Sequence, residues 1–267
     1  MNDPSTPSIA LFGPSHVQPG EIELKTIGDR SACALSVGTE AAIKRKKPEA
    51  APNEDALYLF DDGEFALQIV ADGHYGVEAS RSLVASLGEI YDQAGPRLEP
   101  IQAFGKMAQA WRGRASLGKS RSTILIAALD RAAGRVQGFS IGDSACFLAS
   151  ADGSIERLDH PSRHYAAPWD LYSLGVPPSS YFDATVSPGQ ILLACTDGIT
   201  ECHYGHPELS IQPEDIGELV SRVGAGLDAQ RPELATQLAR ELARTALLGI
   251  RDQPGGEDNF AITVSIV

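Results

Sequence analysis

Cysteine is scarce in this chain of 267 residues: Cys33, Cys146, Cys195 and Cys202 are its four, scattered and without a CxxC pair. That excludes a disulfide framework and points to reduced thiols in a cytosolic compartment. Positive charge is scarce too, with 22 Lys and Arg against 35 Asp and Glu and a net charge of -13. Broad contact with nucleic acid or an anionic membrane needs a basic face, so neither is expected as a partner. Long apolar runs are missing: nothing approaches the ~18 uninterrupted apolar residues of a spanning helix. The opening MNDPSTPSIALFG has no basic segment followed by an apolar one, so no secretory signal is expected. Repeats and low-complexity linkers are absent as well. What these absences leave is a soluble, cytoplasmic, acidic protein, which needs a local cationic element if it is to bind a polyanion.

What is present is ample apolar material, 43% of residues, beside an ordinary 21% charged. Residues 1–20 are rich in Pro and Ser, and residues 1–30 read as a partly loose N-terminal arm, with a single domain over 31–267. SACALSVG is strand-like and precedes a basic, Pro-containing loop, KRKKPEAAPNED. ALYLF and FALQIVA flank Asp62-Gly63, a hairpin signature. The period then becomes helical at Leu83, Val84, Leu87, Ile90 and Tyr91, and again at Ile101, Phe104 and Trp111. STILIAAL, RVQGFSIG and ACFLAS return to strand character, the last followed by a second hairpin turn at Asp152-Gly153. Residues 157–189 read as irregular, GQILLACTD as a buried strand. Two further helical patterns carry Ile216, Leu219, Val220 and Val223, then Leu234, Leu238 and Leu242, before a closing strand FAITVSIV. Runs of strands with helix pairs between them predict an α+β fold, antiparallel sheet with helices outside.

The acids are not spread evenly over this pattern. Asp62-Gly63 and Asp152-Gly153 are accounted for by hairpins, but Asp72-Gly73 and Asp197-Gly198 each follow an apolar strand that does not turn straight back. Glu54-Asp55 stands just before ALYLF, Asp143 follows GFSIG, and Asp258-Asn259 precedes the last strand. Carboxylates gathered at one end of a sheet repel and need cations. Oxygen ligands without a His/Cys pattern suit Mg²⁺ or Mn²⁺.

The ordered set NEDA, DGHYG, a Ser-Thr before a strand, GDS, DGITE and a DN before a terminal strand resembles the PP2C-type (PPM) metal-dependent protein serine/threonine phosphatases, from about Ser31 to Val267. The resemblance implies a PP2C-like α-β-β-α sandwich: two antiparallel sheets flanked by helix pairs. It implies two Mg²⁺ or Mn²⁺ ions, bridged by Asp72 with help from the Gly73 carbonyl. Asp197 and Asp258 would hold one ion, and Asp55, largely through water and with Glu54 nearby, the other. Asp143 and Glu201 would hold a third, weaker divalent metal. Water activated between the ions would attack phosphorus, with His74 as general acid for the leaving alkoxide. The implied partner is a phosphorylated protein, opposite a serine/threonine kinase, acted on by a monomer.

The sequence departs from the family pattern in three places. Many relatives carry an arginine a few residues before NED; here the residue five before Asp55 is Ala50, and the nearest cations are Lys44, Arg45, Lys46 and Lys47. Arg45, Lys46 and Lys47 are therefore the candidate phosphate-binding residues, less rigid where a lysine replaces a bidentate arginine. Ala145 follows GDS where arginine is common, and Arg121 takes a usual glycine position. The irregular 157–189 segment falls where the family carries its flap. Two other readings compete. A catalytically impaired PP2C-like module would bind phosphoprotein without cleaving it. A P-loop NTPase is suggested by GRASLGKS, Gly113 to Ser120, which matches the Walker A letters but lies between a helical pattern and a strand, the reverse of what a P-loop needs. Cys202, His203 and His206 lack metal-finger spacing and read as loop.

Overall fold

The structure, a computed structural model, describes residues 7–45, 51–111, 119–166, 181–225 and 233–267. Two six-stranded antiparallel sheets stack face to face. The first runs, edge to edge, β1 (Ser8–Phe12), β4 (Ala56–Asp61), β5 (Phe65–Ala71), β8 (Ile124–Asp130), β9 (Arg135–Ile141) and β12 (Tyr181–Thr185). The second runs β11 (Ile155–Arg157), β10 (Ala145–Ala149), β13 (Ile191–Cys195), β14 (Phe260–Ile266), β3 (Ser31–Ser36) and β2 (Glu23–Ile27). A two-residue ladder, β6 (Gly73–His74) with β7 (Arg121–Ser122), stands apart from both.

Helices cover the outer faces. On the first sheet, α2 (Glu78–Ala94) and α3 (Pro100–Ala110) bury Leu83, Val84, Leu87, Tyr91, Phe104 and Met107 against Tyr58, Leu67, Ile69 and Phe139. On the second, α5 (Pro213–Ala225) and α6 (Leu234–Leu248) bury Ile216, Leu219, Leu238 and Leu242 against Phe147, Leu193, Ile262 and Val264. Between the sheets lie Leu35, Leu57, Leu59, Val70, Leu125, Leu192 and Ala261. Covered on both faces, these strands have no polar side to show, so they read as near-continuous apolar runs rather than as alternation. The layers are helix, sheet, sheet, helix, as the resemblance implied.

Both expected hairpins form. β4 and β5 pair from Ala56↔Ala71 to Asp61↔Ala66, and β10 and β11 from Phe147↔Arg157 to Ala149↔Ile155. Three expectations are corrected. The N-terminal stretch is not a loose arm from residue 8 on: Ser8–Phe12 pairs with β4 and Glu23–Ile27 with β3, making an edge strand of each sheet. The basic loop begins as helix, since Lys44 and Arg45 close α1 (Glu40–Arg45). Tyr181–Thr185, within the segment read as irregular, pairs with β9. Edge strands gain one ladder instead of two and carry fewer apolar residues, which weakens their signal in sequence. Among the described residues no helix is long and apolar enough to cross a membrane.

Candidate metal and phosphate site

The antiparallel registers bring distant acids to one end of the sandwich. Ala56 pairs with Ala71, so Asp55 and Asp72 flank the same edge. Ile124 pairs with Ile141 and Cys195 with Ile262, which sets Asp143, Asp197 and Asp258 beside them. A cleft of about 720 Å³ opens there, lined among the described residues by acids Glu54, Asp72, Asp143, Asp197, Glu201 and Asp258, together with Gly73, His74 and the cations Arg45 and Lys119. Tyr75, Tyr165 and Tyr204 complete its wall.

The floor is held rigidly through backbone. The Asp72 N–H donates to Thr123 Oγ1 at 3.0 Å, and its carbonyl accepts from the Thr123 N–H at 2.9 Å and from Ser122 Oγ at 2.8 Å. Thr123 Oγ1 in turn meets Ser144 Oγ at 2.7 Å, beside Asp143. A Cβ on Gly73 would overlap the Glu54 carbonyl oxygen, so only glycine lets the two segments lie this close.

Asp72, Asp143 and Asp197 each offer a carboxylate oxygen, and the three lie within 4.8 Å of one another. Asp143 Oδ1 is buried with no hydrogen-bond partner among the described residues. Burial, then the charges of Asp258, Asp143, Asp55 and Glu201, push the Asp197 carboxyl well above its ordinary range. Glu201 is raised by burial and by Asp143 and Asp258. An oxygen-only set of mutually repelling acids fits a hard divalent cation, which would neutralise them together. Asp143, expected with Glu201, also stands close to Asp72 and Asp197.

The remaining candidates fall in three groups. Glu54, Gly73, His74, Glu201 and Asp258 line the cleft. Asp55 does not: buried at 1% exposure, it accepts from Thr196 Oγ1 at 2.7 Å and from Asn259 Nδ2, tying β4, β13 and β14 together beneath the acids. Arg45 reaches the cleft but is engaged, its guanidinium 2.6 Å from Asp258 Oδ2, its Nε donating to the Glu257 carbonyl at 3.1 Å and its Cζ over the Tyr204 ring. Lys44 turns to Glu40 at 3.7 Å, while Lys46 and Lys47 lie outside the described residues. His74 Nδ1 is 3.2 Å from Asp72 Oδ2, and its ring packs on Tyr165 at 4.8 Å.

Sequence reasoning missed Tyr165, Tyr204 and Thr196, which carry no motif and reach the site only through folding. Lys119 was noticed for the wrong reason. Of the Walker-like stretch, residues 113–118 lie outside the described residues; Lys119 and Ser120 lead into strand β7, and no helix N-terminus follows them. The Cys202, His203 and His206 stretch is loop: Cys202 is buried and His206 exposed.

A double antiparallel sandwich flanked by helix pairs, with an acidic, oxygen-rich cleft at one end, defines the class of metal-dependent hydrolases with an α-β-β-α core. The family model of protein phosphatase 2C matches residues 45–243. The chain belongs to the protein phosphatase 2C family, and with it to the metal-dependent serine/threonine phosphatases. Similar folds are a bacterial serine phosphatase (16% identity, TM-score 0.62, covering 92% of this chain and 99% of that one) and RsbX in complex with magnesium (15%, 0.55, 92% and 100%). The catalytic domain of the phosphatase PstP, in complex with two manganese ions, is similar at 21% identity and TM-score 0.59, covering 92% and 99%. No curated protein matches the sequence.

Proposed function

We propose that the protein hydrolyses phosphoserine and phosphothreonine in proteins with two Mg²⁺ or Mn²⁺ ions, opposing a serine/threonine kinase as a cytoplasmic monomer. Asp72, the Gly73 carbonyl, Asp197 and Asp258 would hold the ions, with Glu54 at the rim and Asp55 beneath. Asp143 joins Asp72 and Asp197, and with Glu201 would hold a third, weaker ion. Divalent ions there supply an acidified water and neutralisation of phosphate oxygens.

The chain's own residues do the rest. His74, with Nδ1 3.2 Å from Asp72 Oδ2, gives a proton to the departing serine or threonine oxygen. Arg45 fixes Asp258 and offsets part of that wall's negative charge. Tyr165 packs on His74 and limits water around it. Four unpaired, buried cysteines suit a reducing compartment.

The observation that carries this reading is the meeting, within 4.8 Å, of carboxylate oxygens from three separate strand ends. The test is release of phosphate from a phosphothreonine peptide and from p-nitrophenyl phosphate, with and without Mn²⁺, for wild type and Asp72→Asn. Manganese-dependent turnover lost in the variant supports it. Asp72-dependent Mn²⁺ binding without turnover on any phosphopeptide would leave a binding module instead.

A further inference from the structure

The acidic cleft must admit a phosphoryl dianion, and the two described cations of the expected basic segment are engaged elsewhere. Arg45 is held by Asp258, the Glu257 carbonyl and the Tyr204 ring, and Lys44 pairs with Glu40. Of the cationic side chains that line the cleft among the described residues, Arg45 and Lys119, Lys119 is the one with no ion pair there.

Its backbone is fixed where it matters. Ser120, 1% exposed, donates from Oγ to the Gly76 carbonyl at 2.7 Å and accepts from the Ala79 N–H at 3.0 Å, stitching the segment to the first turn of α2. The next two residues pair with the loop that carries the site, Arg121 opposite His74 and Ser122 opposite Gly73. Lys119 therefore enters the cleft from a backbone bolted to Gly73 and His74, while its long side chain stays exposed and can swing.

The geometry points to Lys119 as the residue that binds the substrate's phosphoryl group, an assignment that rests on the phosphatase reading. A flexible ammonium on a rigid base can follow the phosphate from arrival to release, as a point charge and not as a bidentate clamp. The lysine of the Walker-like letters thus keeps a phosphate-binding task, on the turn leading into a strand and not at a helix N-terminus.

The test uses the full-length, Mn²⁺-loaded protein and two variants, Lys119→Met and Lys119→Arg. Substrates are p-nitrophenyl phosphate and phosphothreonine peptides flanked by alanine or by aspartate, and binding of inorganic phosphate is read separately by calorimetry. With Lys119→Met, KM for every substrate and Kd for phosphate rise together, roughly tenfold at low salt, with kcat changed little. The gap narrows as salt is raised, because an exposed charge is screened, and Lys119→Arg recovers most of the loss. Unchanged KM and phosphate Kd in Lys119→Met would overturn the assignment. So would a rise confined to the aspartate-flanked peptide, since Lys119 would then read peptide acids. If wild type shows no Mn²⁺-dependent hydrolysis, the phosphatase reading fails, and the calorimetric Kd still decides whether Lys119 binds phosphate.

Discussion

His74 and Asp72 face each other, Nδ1 to Oδ2, at 3.2 Å across the turn that ends β5, with Tyr165 packed on the imidazole at 4.8 Å. One ring nitrogen thereby lies beside a carboxylate of the acidic cluster, and in the proposed mechanism Nε2 would serve the substrate. A phosphothreonine leaving group departs as an alkoxide and needs a proton; p-nitrophenolate does not. His74→Asn should lower kcat on a phosphothreonine peptide by about 10²-fold or more and on p-nitrophenyl phosphate far less. Steady-state kinetics on both substrates decides it, and equal losses would remove His74 from the general-acid role.

Asp197 carries the clearest pH consequence. Burial and neighbouring acids raise its folded carboxyl well above the ordinary value, so between the unfolded value of about 3.9 and the raised one the folded state binds the extra proton. Stability from this group is then present in acid and is lost as pH rises through the folded value. Asp197→Asn, which cannot ionise, should match wild type near pH 4 in chelator. It should become increasingly more stable than wild type toward neutrality. Adding Mn²⁺ should reverse the order, stabilising wild type and not the variant. Urea unfolding across pH, with EDTA and with Mn²⁺, measures both signs.

The acids of this site are legible in sequence because each sits where a strongly apolar strand stops, a contrast that survives without any alignment. Asp72, Asp197 and Asp143 announce themselves this way. The edge strands β1 and β2 do not, since SIALF follows a Pro-rich opening and ELKTI exposes part of itself. Nor could spacing show that Arg45 spends its charge on Asp258, or that Lys119, 74 residues further along the chain by its number, shares the same cleft. Those are tertiary pairings, set by which loops the two sheets bring together. Nor does the NED motif show that Asp55 lies beneath the cleft, where its oxygens accept from Thr196 Oγ1 and Asn259 Nδ2.

At the end of β4 away from Asp55, Asp61 and Arg131 form a buried pair at 2.7 and 2.9 Å, with side chains 3% and 6% exposed. Ser31 Oγ and the Gly63 N–H also donate to the carboxylate, and Arg131 Nε donates to the Ile266 carbonyl. Arg131→Met would strand the charge, and we expect a loss of about 3–5 kcal/mol with KM unchanged. Replacing both, Asp61→Leu with Arg131→Met, should recover part of it. Denaturation midpoints for the single and double variants test the pairing, and additive losses would argue that the two side chains act independently.

Two glycines make opposite predictions from the same substitution. At Gly73 an added Cβ meets the Glu54 carbonyl oxygen and, at 2.8 Å, Ser80 Oγ, so the Glu54 and Asp72 segments must part. Gly73→Ala should cost about 1–3 kcal/mol and weaken Mn²⁺ binding as well, because both segments line the cleft. At Gly105, in the exposed face of α3, a Cβ meets nothing within 4 Å, and a helix interior favours alanine over glycine. Gly105→Ala should therefore stabilise by about 1 kcal/mol and leave Mn²⁺ affinity where it was. Unfolding and calorimetry on the pair separate packing beneath the acidic cluster from backbone propensity. If Gly73→Ala bound Mn²⁺ as tightly as wild type, the close approach of Glu54 to Gly73 would have no bearing on the metal site.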